Sequence, residues 1–418
     1  MSKEFFIDKK LKRILLFLMF TFLYFSSIAN SYVQYYPVLL FFAIVLGFYT
    51  HKHYIVNSKV YIMLIATIIL YTIGIKFVFN SYPEIRFTIR YSSYFLIGTY
   101  FSIIFYGKFF KLFERCMITL SLISLAFFIL QSIQYQWLFD FMNFFSDHLG
   151  IKNPSYIGRE SNYVNAIIYT INNSRFDEQF RNCGFAFEPG YFAILVALAL
   201  YSNLIINDFK INFKALIFII TLITTFSTIG MIALLLILIH YGLSKKGKAI
   251  IIIFPAIVTI AITIFNSPLV SEKTIRLWEA RNIDYKKIAM ENKEKTISLG
   301  RFAGIFYHYN EVYTRSPILG FFGVKDSEKI SNLTSANGIG YLMYYFGFLG
   351  LILYVIGLYI TTKRLIKIEQ DRPFHIILFI ILLLSLFAFP MINSVLFWFI
   401  GTYGVVNINK KNQKFIRY

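Results

Sequence analysis

Charge is what this sequence is short of. Only 15% of its 418 residues are Asp, Glu, Lys or Arg, where a soluble domain carries about 25%. Hydrophobic residues make up 57% and mean hydropathy is +0.62. That imbalance excludes an ordinary soluble fold, because the apolar surplus needs a second solvent, the bilayer. Cysteine is nearly absent as well. Cys116 and Cys183 are the two present, and no CxxC or His/Cys cluster indicates a metal site or a disulfide framework. The topology derived below puts the two thiols on opposite sides of the membrane, so they cannot pair. The charge that is present is lopsided: 41 Lys and Arg against 21 Asp and Glu, a formal net charge of +20. In a soluble protein this would suggest nucleic acid. In a membrane protein it marks cytoplasmic loops, and no nucleic-acid partner is expected.

Apolar runs predict twelve spans near 14–30, 33–50, 60–79, 88–106, 117–138, 190–207, 212–226, 228–243, 249–266, 338–361, 374–390 and 391–407. Ser227 to Gly230 and Pro390 supply the breaks within the two least separated pairs, and each could instead be a kink. Ser27-Ile28-Ala29 faintly resembles a cleavage site, but the run before it is long enough to span, and a retained helix is expected. The even connections are short and basic, with Lys52 and Lys59, then Lys108, Lys111 and Arg115, then Lys210 and Lys214, then Lys245, Lys246 and Lys248, then Lys363, Arg364, Lys367 and Arg372. Both termini are basic too, while the first, seventh and eleventh connections hold no Lys or Arg. This alternation predicts one all-α transmembrane domain over 1–418 with both ends in the cytoplasm.

Two odd connections are long and are expected outside: 139–189 and 267–337. Long segments translocate regardless of charge. Within 299–314, Phe302, Ile305, Phe306 and Tyr309 recur at helical spacing, with Arg301, His308 and Glu311 near the opposite face. The spacing predicts an amphipathic helix at the external interface, with His308 on its surface.

Ionisable residues within spans would mark an ion-coupled path. Lys76, Arg90, His240 and His375 sit near span ends, where snorkelling accounts for them. Polar chemistry concentrates in three external stretches instead. The first is Phe180 to Gly190, with Arg181 and Glu188 flanking glycines; its plain structural reading is an Arg–Glu pair capping the sixth span. The second is Ser298 to Arg301, followed by Ser316 to Gly323. The third is Ser335 to Gly338, with Gly347 to Gly350 inside the tenth span; small residues there allow close packing.

Together these stretches resemble the O-antigen polymerase and O-antigen ligase superfamily. The hydropathy profile resembles it over the whole chain, and the motifs over 180–190, 227–230, 298–323 and 335–350. An R-x-x-G-x-F-x-E-P segment is matched by Arg181, Gly184, Phe185, Phe187, Glu188 and Pro189. A Ser/Thr-Gly break is matched by Ser227 to Gly230, and an external Arg ahead of a P-hydrophobic-hydrophobic-G turn by Arg301 and Pro317 to Gly320. Ligases of this kind open the last motif with His-Asn; here Asn337 and Gly347 keep the spacing but Ala336 stands at the His position. That departure favours the polymerase branch.

The resemblance implies a helical bundle like that of the GT-C glycosyltransferases, in the bacterial cytoplasmic membrane. It implies an enzyme that joins undecaprenyl-pyrophosphate-linked oligosaccharide units at the outer face, with no metal or other cofactor. A chain-length regulator is a further partner that it allows. Arg181 and Arg301 would then neutralise the departing pyrophosphate, and Glu188 would take the acceptor hydroxyl's proton. His308, Asn337, Ser335 and Arg276 are the candidate substrate-binding residues. A ligase, and a lipid-linked oligosaccharide flippase, remain the alternatives. The flippase is disfavoured by the scarcity of charge within the spans.

Overall fold

The computed structural model describes residues 9–27, 35–53, 85–148, 162–173, 180–244, 255, 297–299, 301–315, 320, 333–335, 337–369, 375–389 and 394–404. Among these are twelve helices and two small sheets. The helices are α1 Lys9–Ser26, α2 Tyr36–His53, α3 Ile85–Ile104, α4 Phe109–Ile133, α5 Tyr135–His148, α6 Pro189–Ile206, α7 Phe213–Thr224, α8 Thr228–Ser244, α9 Arg301–Arg315, α10 Gly338–Glu369, α11 His375–Ala388 and α12 Val395–Tyr403. An antiparallel hairpin pairs β1 (Asn162–Asn165) with β2 (Thr170–Asn173). A parallel pair joins β3 (Ile297–Leu299) to β4 (Leu333–Ser335).

Ten of the predicted spans coincide with helices, from α1 to α4, α6 to α8 and α10 to α12. The spans at 60–79 and 249–266 lie outside the described residues. Phe109–Ile133, Pro189–Ile206 and Gly338–Leu365 are long and apolar enough to cross a membrane, and shorter apolar helices surround them. The other two helices, α5 and α9, belong to the long connections. The first of these connections was expected as a loop from 139; it instead carries α5, starting at Tyr135, and the hairpin.

The bundle centres on α6. Its sequence is apolar on every side, so it has no solvent face, and seventeen of its eighteen residues are buried. Pro189 opens it at a position that needs no N–H donor. Helices α4, α7, α8, α10 and α11 pack around it. α4 buries one face only; Leu122, Ile129, Leu130 and Ile133 leave an exposed apolar stripe along the other, as expected where lipid is the solvent. Small residues let helices approach where apolar burial alone gives no preference. A Cβ at Gly98 of α3 would lie 2.6 Å from the backbone nitrogen of Phe399 in α12, and one turn on Ser102 Oγ meets Thr402 Oγ1 at 3.0 Å.

The helix ends sort onto two faces. At one, Arg364 near the end of α10 donates to the Gly404 carbonyl (3.0 Å) and the Tyr106 hydroxyl (3.0 Å), tying together the ends of α3, α10 and α12. At the other, the Ser27 carbonyl accepts from Phe187 N–H and the Ser26 carbonyl from Ser394 Oγ. This joins the end of α1 to the starts of α6 and α12.

One expectation needs correction. α4 begins at Phe109 rather than 117 and so takes Glu114 into the bundle. The carboxylate is buried and accepts from Lys214 Nζ at 2.9 Å and Asn203 Nδ2 at 3.1 Å. A buried charge persists because it is paired; Lys214 lies on a different helix and is 100 residues distant, so sequence periodicity gives no sign of the pairing.

Candidate functional site

The stretch from Phe180 to Gly190 is held by Asn182, whose role the sequence reading missed. Asn182 is fully buried. Its Nδ2 donates to Ser124 Oγ (3.3 Å) and Thr224 Oγ1 (3.0 Å), its Oδ1 accepts from Gly184 N–H (3.0 Å), and its own N–H reaches the Thr224 carbonyl (3.0 Å). Gly184 follows with φ +50°, and a Cβ there would strike the Phe192 ring at 2.4 Å; only glycine fits both demands. Its carbonyl accepts from Thr170 N–H (2.7 Å), which docks the β1–β2 hairpin on the loop. Beneath that hairpin Tyr169 donates to Gln131 Oε1 (2.7 Å). Desolvation by burial, with a smaller contribution from Cys183, pushes this phenol well above its ordinary range, so it stays neutral and remains a donor. Cys183 and Cys116 are both buried free thiols.

Arg181 points back into the protein. Its Nε donates to the Thr225 carbonyl (3.3 Å) and its Nη2 to the Phe226 carbonyl (3.2 Å). A guanidinium at the C-terminal end of α7 satisfies carbonyls that the helix leaves orphaned and meets the negative end of its dipole. Glu188 is the N-cap of α6 and half-buried, and its side chain makes no capping bond. The expected cap by a Glu188 side chain is therefore not what starts α6.

The motif stretches converge around Phe389 at the end of α11. A Cβ on Gly190 would lie 2.7 Å from the Phe389 ring and 3.2 Å from Ser227 Oγ. On Gly338, at the start of α10, it would lie 2.1 Å from the Phe389 carbonyl oxygen. On Gly230 it would meet the Ala193 methyl at 2.7 Å. The starts of α6, α8 and α10 are thus packed through glycines with no room for a side chain. α12 joins them: Ser394 Oγ caps its own helix by accepting from Leu396 N–H and bonds the Tyr191 hydroxyl at 2.8 Å. The starts of α6, α8, α10 and α12 share this end of the bundle with the C-terminal ends of α1, α7 and α11, so their dipoles offset one another.

The second and third stretches meet through the parallel strands. Leu299 pairs with Ser335, so the starts of α9 and α10, at Arg301 and Gly338, leave from adjacent strands. Asn337 is buried at the second start. Its Oδ1 accepts from Gly340 N–H (2.7 Å), the N-cap pattern, and its Nδ2 donates to the Phe387 carbonyl (2.8 Å). It anchors α10 to α11 rather than standing open to a ligand. α10 breaks at Gly347, with φ 69° and ψ −174°, and the Gly320 carbonyl accepts the displaced Phe348 N–H at 2.9 Å. Broken helices at membrane depth need such internal partners.

α9 is a helix as its periodicity predicts, but its polar face is not a water face. His308, Glu311 and Val312 are buried against α10, while Phe306, Tyr309 and Tyr313 are exposed. The His308 ring sits 5.3 Å from those of Tyr341 and Tyr344, in space left by Gly340, where a Cβ would lie 2.6 Å from the imidazole. A surface position for His308 is overturned, because α10 supplies the surface that a lone helix would leave to water. Glu311, one turn further on, is 1% exposed and is a buried carboxylate to which the sequence reading gave no role. Of the other candidates, Ser335 lies in β4, Arg301 is the first residue of α9, and Arg276, Ala336 and Pro317 fall outside the described residues.

No group of three or more His, Cys, Asp or Glu placed to hold a metal occurs among the described residues. No family model, curated protein or solved structure matches this chain. Fold and site define a class: a helical protein with apolar helices suited to a membrane and a glycine-packed polar cluster at one end of its bundle.

Proposed function

We propose that this chain polymerises oligosaccharide repeat units carried on undecaprenyl pyrophosphate, working at the outer face of the bacterial cytoplasmic membrane. The reading rests on the resemblance of the motif stretches, and one observation supports it. Stretches as distant as 181–190, 227–230 and 337–340 adjoin at one end of the bundle, where four helices present their N-termini. A leaving pyrophosphate is a multiply charged anion, and Arg301 at the head of α9 would neutralise it. Glu188 would take the proton of the attacking hydroxyl, with Glu311 beside His308 as the second carboxylate available. The growing chain's anomeric carbon would gain a bond to the acceptor oxygen and lose its bond to the pyrophosphate, which departs on its lipid.

The glycan profile of a deletion strain tests this reading. A lost polymerase leaves single repeat units on the final acceptor. Long chains accumulating on the lipid carrier would mean a ligase, and units trapped on the cytoplasmic side a flippase. The sidedness is checked separately: reporters fused after Lys246 and Arg364 should read cytoplasmic, and those within 150–180 and 280–330 external. An external signal at Lys246 would overturn the twelve-span arrangement.

A further inference from the structure

Helix α5 has three faces, each with its own environment. Leu138, Met142 and Ser146 are buried, the first two in a cluster with Val164, Tyr169 and Ile171 of the hairpin. Gln136, Asp140, Asn143 and Asp147 form a second stripe, exposed and joined in i, i+4 pairs: Gln136 Nε2 donates to Asp140 at 3.0 Å and Asn143 Nδ2 to Asp147 at 3.4 Å. The third stripe is Trp137, Phe141, Phe144 and Phe145, between 41% and 57% exposed. At 100° per residue the aromatic stripe lies roughly 110° around the helix from the polar one. A helix wholly in water has no use for four exposed aromatic rings.

The occupant of that face follows from where α5 begins. A single residue, Gln134, separates it from α4, which is long and apolar enough to cross a membrane. The exposed apolar stripe of α4 runs through Ile129 and Leu130 to Ile133, and the aromatic stripe of α5 resumes at Trp137. The lipid-facing surface of α4 therefore continues onto α5. We propose that α5 lies on the outer surface of the bilayer, with Trp137, Phe141, Phe144 and Phe145 among the lipid headgroups and upper acyl chains, and Gln136, Asp140, Asn143 and Asp147 toward water. α5 carries no Lys or Arg, so apolar burial rather than attraction to anionic lipid holds it there. Because α5 packs on the hairpin, and the hairpin bonds Gly184, this contact also fixes the height of the Phe180–Gly190 loop above the membrane.

Trp137 reports on the contact directly. The chain has two other tryptophans, Trp278 and Trp398, so the fluorescence difference between the parent and Trp137→Phe isolates it. The full-length protein is reconstituted in phosphatidylcholine vesicles brominated either near the headgroup or near the chain end. The shallow bromines should quench the Trp137 signal about two-fold more than the deep ones, and aqueous iodide should quench it little. Strong iodide quenching with none from bromine would place α5 in water and overturn the proposal. Protection from both quenchers would mean a protein partner or a second copy on this face, and would overturn it equally. A profile deepest at the chain ends would make α5 a buried span and overturn it too.

Discussion

Arg301→Ala should lower polymer output by two to three decades while the protein stays in the membrane at near-parent abundance. Removing one donor to a transition-state phosphate oxygen costs on the order of 2–4 kcal/mol. Arg301→Lys should be intermediate, since lysine keeps the charge but loses the planar fork. Arg181 provides the contrast. It matches the same resemblance, but its guanidinium donates to the Thr225 and Phe226 carbonyls, so Arg181→Ala strips partners from the end of α7 and should reduce abundance and polymer together. Arg181→Lys should not restore abundance, because an ammonium cannot span both carbonyls with the same geometry. The measurement is quantitative membrane immunoblotting beside glycan chain-length analysis. Normal polymer from Arg301→Ala would remove Arg301 from the site. Normal abundance with lost polymer from Arg181→Ala would return Arg181 to the chemistry.

Gly338→Ala should leave little folded protein. The added methyl would meet the Phe389 carbonyl oxygen at 2.1 Å and that of Leu386 at 2.4 Å. These are backbone atoms of α11 and cannot rotate away. Overpacking costs about 1–3 kcal/mol where side chains can yield, and here the start of α10 must separate from the end of α11 altogether. That separation would break the Asn337–Phe387 bond as well. Gly401→Ala is the control: its methyl would touch the Tyr354 ring at 3.2 Å, and the ring can shift by the few tenths of an ångström needed. Size-exclusion profiles of detergent-solubilised protein after graded heating should show Gly338→Ala lost several degrees below the parent and Gly401→Ala near it. Equal thermal profiles for the two variants would show that the α10–α11 crossing is looser than its geometry indicates.

Hydropathy alone located the helices that are uniformly apolar. Each run such as 189–206 has one physical solution, a helix out of water, so hydropathy located α6 to within a residue. The sequence also predicts a grouping of helix ends, because basic residues mark every second connection. It placed the glycine motifs without their reasons. Nothing local to Gly338 or Gly190 announces that both face Phe389, since the close approach belongs to helices far apart in the chain. α5 was missed because its aromatic stripe, continuous with the end of α4, reads as a span running to 138. α9 was found, but its periodicity says only which residues share a face, not what covers it. In water the apolar stripe turns inward; here α10 takes His308 and Glu311, and Phe306 and Tyr309 turn outward. The guanidinium of Arg181 is the sharpest case. The stretch alone reads as an Arg–Glu pair and the resemblance implies an anion ligand, and only the folded chain brings two carbonyls from the end of α7 within its reach.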